Sequence, residues 1–268
     1  MNNNFIHIIL KGMCVGSTML IPGVSGGSMA MILGIYDKLI SSVSSFLKHK
    51  KESALFLGLF LLGGIVGILL FARPMEYLLK HFTIPVMYFF IGTAAGGMPL
   101  IYQKANVERV TIKSTVYLVI GVVMVIVIQM LPEGIFTETK GAAGMILLVA
   151  AGFVAAVALV LPGISVSYML LIMGLYDTIM QSITSLYLPN LIPLGIGVAV
   201  GIVLLTRFLE NAMNRYPQPT YIIILGFVVG SLAGIFPGMP QGIYWLICPV
   251  TFLAGYGAIR GLTGVSGE

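Results

Sequence analysis

From Thr220 to Ile259 the sequence carries no charged side chain, and the same holds from Gly141 to Tyr176, Ser53 to Ala72 and Thr115 to Pro132. A bilayer core asks for about 20 apolar residues per helical crossing, so these runs fit single or paired spans. Hydrophobic residues make up 58% of the 268 and charged residues 9%, which leaves no room for a sizeable soluble domain. The chain reads as an all-α polytopic membrane protein. In a soluble protein its net charge of +5 would suggest nucleic acid. With helices in lipid it reflects Lys and Arg held on one membrane face, and no nucleic-acid partner is expected. Cys14 and Cys248 lie inside apolar runs at no metal-ligand or redox spacing and read as small buried hydrophobes. The start, "MNNNFIHIILKGM", has neither a basic leader nor a small-residue cleavage site, so the first apolar segment is expected to be retained. Residues 261–268 are set aside as a polar tail.

The first apolar region is interrupted by "LIPGVSGGSMAMILGIYDKLI", residues 20–40, and residues 160–186 repeat that pattern without gaps. Pro22 matches Pro162, Gly23 Gly163, Ser25 Ser165, Gly34 Gly174, Tyr36 Tyr176 and Asp37 Asp177. Further on, Arg73 matches Arg207, Glu76 Glu210, Pro85 Pro219, Gly92 Gly226 and Gly96 Gly230. Two homologous halves follow, 1–132 and 141–260.

Basic residues decide how the halves are related. If each motif region crosses once as one interrupted helix, Lys and Arg divide evenly between the two sides. If each enters, breaks at Pro-Gly and returns, then Lys38, Lys48, Lys50, Lys51, Lys104, Arg109, Lys113, Arg207, Arg215 and Arg260 share a side. Only Arg73, Lys80 and Lys140 oppose them, and that split obeys the positive-inside rule. Each half is then a helical hairpin, 5–47 or 141–186, plus three spans near 53–72, 85–103 and 115–132, or 189–206, 220–237 and 243–260. Three is odd, so the second half is expected upside down, with both termini cytoplasmic. Whether the hairpins are re-entrant or fully spanning stays open.

Inverted repeats with broken helices are built around midplane sites in transporters. A break in lipid leaves backbone groups unpaired unless protein or a cavity surrounds it. At both breaks a new helix starts near Ser25 or Ser165, so its N-terminal amides and nearby hydroxyls suit an anion. The candidate binding residues are Gly23, Ser25, Gly26, Gly27 and Ser28 in the first copy, with Gly163, Ser165 and Ser167 in the second. The bland alternative, small residues that only let helices pack, fits Gly58, Gly63, Gly64 and Gly67. Arg73 and Arg207, each three residues before a glutamate, read either as solvated helix-end pairs or as guanidinium groups waiting for a phosphate at each mouth. Asp37 and Asp177 read first as capping or topological residues. With Glu76 and Glu210 they are also the candidates for proton coupling, while Ser and carbonyl oxygens at the breaks could hold sodium. No catalytic residue, metal or cofactor is expected.

The motif "PGVSGGSMAMILGIYDKLI", its repeat "PGISVSYMLLIMGLYD" and the basic loop after the first copy resemble the bacterial PopT-type polyprenyl-phosphate transporters, from about Lys11 to Arg260. The resemblance implies translocation of undecaprenyl phosphate, the lipid carrier of cell-wall precursors, from the outer to the inner leaflet of the cytoplasmic membrane for reuse. It also supplies the ligand's identity. The second copy departs from the first, with Val166 and Ser167 in place of the double glycine, which leaves open whether both halves grip phosphate equally.

Three rivals remain at this level. "GVSG" from Gly23 to Gly26 matches the G-x-S-G of rhomboid-like intramembrane serine proteases, but no histidine lies in the middle of a later apolar span to act as base. A small-anion transporter or channel could use the same cradle. A purely structural membrane protein would have no use for two intramembrane breaks. The oligomeric state is not legible.

Overall fold

The computed structural model describes residues 2–21, 24–107, 111–135 and 141–264, and their regular structure is helical. Gly23, a candidate binding residue, lies outside the described residues, as do Pro22, Arg109, Lys140 and the end of the tail at 265–268. In chain order the helices are α1 (Asn2–Thr18), α2 (Gly26–Ile32), α3 (Tyr36–Ser44), α4 (Lys50–His81), α5 (Thr83–Lys104) and α6 (Ile112–Gln129). They continue as α7 (Ala142–Val160), α8 (Val166–Ile172), α9 (Tyr176–Thr184), α10 (Leu188–Arg215), α11 (Pro217–Ile235) and α12 (Tyr244–Gly264). Seven of these, α4 to α7 and α10 to α12, are long and apolar enough to cross a bilayer. The chain is a multi-pass membrane protein.

Each duplicated motif folds as a string of short helices whose ends follow from local chemistry. Ser25 (φ −91°, ψ 136°) and Ser165 (φ −87°, ψ 126°) leave the helical region, and their hydroxyls cap α2 and α8. A second interruption follows in each motif. Gly34 (φ +68°) separates α2 from α3, and Gly174 (φ +72°) separates α8 from α9. A positive φ is open to glycine and costly for side chains with a Cβ, so the chain turns there.

The expected spans 53–72 and 189–206 are the leading parts of longer helices. α4 has 32 residues and α10 has 28, about 48 and 42 Å at 1.5 Å per residue. Both continue because their last turns still have apolar partners. Met75 and Leu79 pack against the cluster of Ile21, Met87, Phe90 and Ile235, and Leu209 and Met213 are buried in the main core.

Four close helix pairs hold the molecule together: α1 on α4, α7 on α10, α5 on α12 and α6 on α11. All four are glycine seams. A methyl on Gly63 would sit 2.2 Å from the Ile9 carbonyl oxygen, and one on Gly152 2.1 Å from that of Leu194. Gly92 and Gly255 face Phe252 and Phe89 in the same way, each at 2.1 Å, and Gly121 faces Ile223 at 2.3 Å. Such separations exclude a Cβ, so the backbones touch as small-residue membrane interfaces do. Gly67 belongs to the first seam, whereas a methyl on Gly58 would meet open space. α5 and α11 also pack on each other, and with the first hairpin they enclose Met31, Ile101, Ile224 and Val228.

A cavity between the two broken hairpins

Ser25 is 7% exposed, and its Oγ accepts the N–H of Ser28 at 3.1 Å and that of Gly163, from the other motif, at 3.2 Å. With both lone pairs engaged, its own proton is what it can still give, and the nearest oxygen is Ser28 Oγ at 3.4 Å. The N-terminal amides of Gly26 and Gly27 lie outside the helical ladder and remain donors. Gly163 (φ +84°) approaches so closely that a Cβ would lie 2.4 Å from the Phe227 carbonyl oxygen.

Ser165 accepts the Tyr168 N–H at 3.4 Å, and α8 is tied to the end of α6. The Tyr168 hydroxyl donates to the Gln129 carbonyl at 2.7 Å, and the N–H groups of Gly134 and Ile135 donate to Leu171 and Ile172 at 3.0 and 2.8 Å. A cavity of about 790 Å³ opens between these two starts. Ser25, Gly26, Ser165, Ser167, Gln129 and Tyr168 give it polar groups, while Met19, Leu20, Met87, Val125 and Leu159 make the rest of the wall apolar. A volume in that range suits a small ligand or a headgroup.

Of the expected binding residues, Ser25, Gly26, Gly163, Ser165 and Ser167 line this space. Gly27 packs against Pro162, and Ser28 borders a much smaller void deeper in. Arg73 and Arg207 do not line the cavity; both are exposed on α4 and α10, and neither forms an ion pair with the glutamate three residues on. Glu76 is exposed, and Glu210 accepts a hydrogen bond from Ser44. Asp37 pairs with Lys104 at 2.5 Å, whereas Asp177 is exposed. Sequence reasoning missed Gln129, Tyr168 and Tyr176, all lining the cavity. Their signal was present, since each is a polar group inside a charge-free run. α2 and α8 have seven residues each, so their dipoles are short and side-chain donors such as Gln129 and Tyr176 matter more than expected.

The two ends of the assembly differ. The Tyr36 hydroxyl donates to the Val160 carbonyl at 2.7 Å, joining the first hairpin to α7, and α3 lies along α10. The matching groups of the other copy, Tyr176 and Leu20, both line the cavity, and α9 has no comparable packing on α4 among the described residues.

Residues 15–246 match the family described as undecaprenyl phosphate translocase-like (VCA0040-like). The chain is 34% identical to a polyprenyl-phosphate transporter of Staphylococcus aureus, over 92% of each chain. It is 29% identical to a polyprenyl-phosphate transporter of Vibrio cholerae, over 87% of this chain and 78% of that one. No solved structure matches it. The family match spans six of the seven candidate crossing helices and both copies of the broken motif, and this chain belongs to the undecaprenyl phosphate translocase-like family.

Proposed function

We propose that the protein carries undecaprenyl phosphate, or a related polyprenyl phosphate, from the outer to the inner leaflet of the bacterial cytoplasmic membrane, returning the carrier for reuse. The phosphate binds in the cavity between the hairpins, and the two ends open in turn. The carrying observation is the unequal pair of tyrosines. Tyr36 closes its end onto Val160, while Tyr176 and Leu20 stand at the cavity wall. If the halves are inverted repeats, exchanging their conformations closes one end as it opens the other. The reciprocal pairing of α5 with α12 and of α6 with α11 supports that symmetry. Under the positive-inside orientation, Met87, Gln129 and Gly234 mark the outer end, so the cavity faces outward here.

The site's chemistry suits a phosphate monoester on a long tail. Ser25, Ser165 and Ser167 offer hydroxyls and the helix starts offer amides, with no full positive charge on the wall among the described residues. Binding without a fixed cation allows release, and the apolar wall formed by Met19, Leu20 and Leu159 fits the first isoprene units. Ser25 spends its lone pairs on two amides, an arrangement for a cap and not for an activated nucleophile.

The test is transport in liposomes holding undecaprenyl phosphate in both leaflets, with a membrane-impermeant phosphatase reporting the outer pool. Wild-type protein should expose the inner pool rapidly, and Ser25→Ala and Ser165→Ala should each slow this by about tenfold, the worth of one hydrogen bond to a charged group. An inner pool that stays protected with wild-type protein, with or without imposed proton and sodium gradients, would sink the reading. A rate raised by one gradient identifies the coupling ion, for which Asp37, Asp177, Glu76 and Glu210 are the proton-carrying candidates.

A further inference from the structure

A second cluster of charges lies away from the cavity, between α1, α3, α5 and α11. The Lys104 ammonium is 2.5 Å from Asp37 Oδ2 and 6.0 Å from the centre of the Tyr221 ring. Lys11, partly buried on α1, is close enough to feel the charge of Lys104, and Tyr221 stands beside Asp37. One cation therefore pairs with this carboxylate while a second lies within electrostatic range of the first, and the other oxygen of the carboxylate, Oδ1, is buried without a hydrogen-bond partner. The second copy has no such cluster. Ala151 aligns with Lys11, Gly238 falls where Lys104 would be, and Asp177 is exposed.

An excess of positive charge around a poorly satisfied carboxylate is a poor design for a strut and a good one for a site holding a stand-in. A carboxylate brings one negative charge and a phosphate monoester up to two, with an additional oxygen to accept hydrogen bonds. Lys104 is 24% exposed and Asp37 37%, so an anion has access. Asp37 is the second residue of α3, immediately after Tyr36, so releasing the Tyr36 contact with Val160 also frees the carboxylate.

We infer that Lys104 and Lys11 form a second phosphate site at the end of the molecule opposite the open cavity, with Asp37 occupying it while that end is closed. The inference rests on the proposed transport reading for its place in the cycle, as the point where the headgroup arrives before release. Opening moves Asp37 away, and a phosphate monoester takes its place between the two ammonium groups. Because only one copy carries the lysines, the two ends hold phosphate differently, and the headgroup is drawn toward the lysine end.

The experiment uses the full chain with a fluorophore on Asn106→Cys, two residues beyond Lys104, in a Cys14→Ala background. Farnesyl phosphate, inorganic phosphate and farnesol are titrated, and transport is measured on the same variants. Farnesyl phosphate should change the fluorescence and farnesol should not. An effect of inorganic phosphate at the same concentration shows that the headgroup alone suffices and identifies free phosphate as a second source. Lys104→Gln should abolish the response and slow transport at least tenfold, with Lys104→Arg retaining most of both. Asp37→Asn, which removes the competitor, should lower the half-saturating concentration several-fold.

The neutral pair Asp37→Asn with Lys104→Gln separates a site from a strut. Recovery of wild-type transport in that double variant would overturn the inference, as would an unchanged response in Lys104→Gln. Wild-type protein that responds to farnesyl phosphate but does not transport would overturn the transport reading and leave this site standing.

Discussion

The two copies share a motif but not a situation. In the first, Ser25 is buried and ties the two tips together, Tyr36 is fully engaged with Val160, and Asp37 is paired. In the second, Ser165 only caps its own helix, Tyr176 faces the cavity, and Asp177 is exposed. One sequence pattern is thus seen in two packings within one molecule. The difference between the hairpins is, on the proposed reading, a description of the movement each must make.

Substitutions can break or sharpen that contrast. The largest effect is expected at Gly163, whose positive φ and 2.4 Å approach to Phe227 fix the tip of the second hairpin. Gly163→Ala should cost on the order of 3 kcal/mol or more and abolish transport, read as a fall in melting temperature and loss of liposome activity. Gly238→Ala, also at positive φ but facing open space, should cost about 1 kcal/mol and spare transport. If the two behave alike, the close contact at the tip is not what fixes it.

Intermediate effects of opposite sign are expected at the tyrosines. With Leu171→Cys as a reporter in the cavity wall of the Cys14→Ala protein, and Cys248 fully buried, an impermeant maleimide reads how often the cavity is open. Tyr36→Phe removes a buried hydrogen bond worth about 1 kcal/mol and should lower the labelling rate about fivefold. Tyr176→Phe weakens only the opposite closure and should leave labelling unchanged or raise it. Equal changes in both variants would refute the exchange of conformations.

The smallest contrast is between Ser44 and Thr184, which align across the repeat. Ser44 donates to Glu210 on a partly buried face, so Ser44→Ala should lower the same labelling two- to threefold, or about 0.5 kcal/mol. Thr184 bonds only carbonyls of its own helix, so Thr184→Ala should not change it measurably. A larger response at Thr184 would mean that α9 is held by something other than its own backbone.

Much of this architecture is legible in the sequence because it is written in local chemistry. Charge-free runs announce the crossing helices, and Pro-Gly before Ser announces a helix end followed by a cap. The breaks at Gly34 and Gly174 are harder to read, since a glycine in an apolar helix serves packing as readily as a turn, and only the backbone angle separates the two. Length was misjudged at Arg73 and Arg207, where a charge looks like a boundary, yet Met75 and Leu209 still have apolar partners beyond it. The cavity wall drew on α6 as well as the motifs, and Gln129 reaches it through a pairing of distant helices that no spacing encodes. Lys104 is distant from Asp37 in sequence for the same reason.

The glycine seams have a mechanical consequence. Because α1 is fused to α4, and α7 to α10, without room for one methyl, each pair behaves as a single stiff beam and cannot slide along its length. Among the described residues, bending is then expected in the short joints between beams, at residues 19–21, 24–25, 33–35, 161–165 and 173–175. Gly34 and Gly174 act as the elbows of the molecule. Stiff beams with few elbows turn a small rotation at a joint into a large displacement at the tip, so on the proposed reading a headgroup is carried a long way by a protein whose core barely deforms.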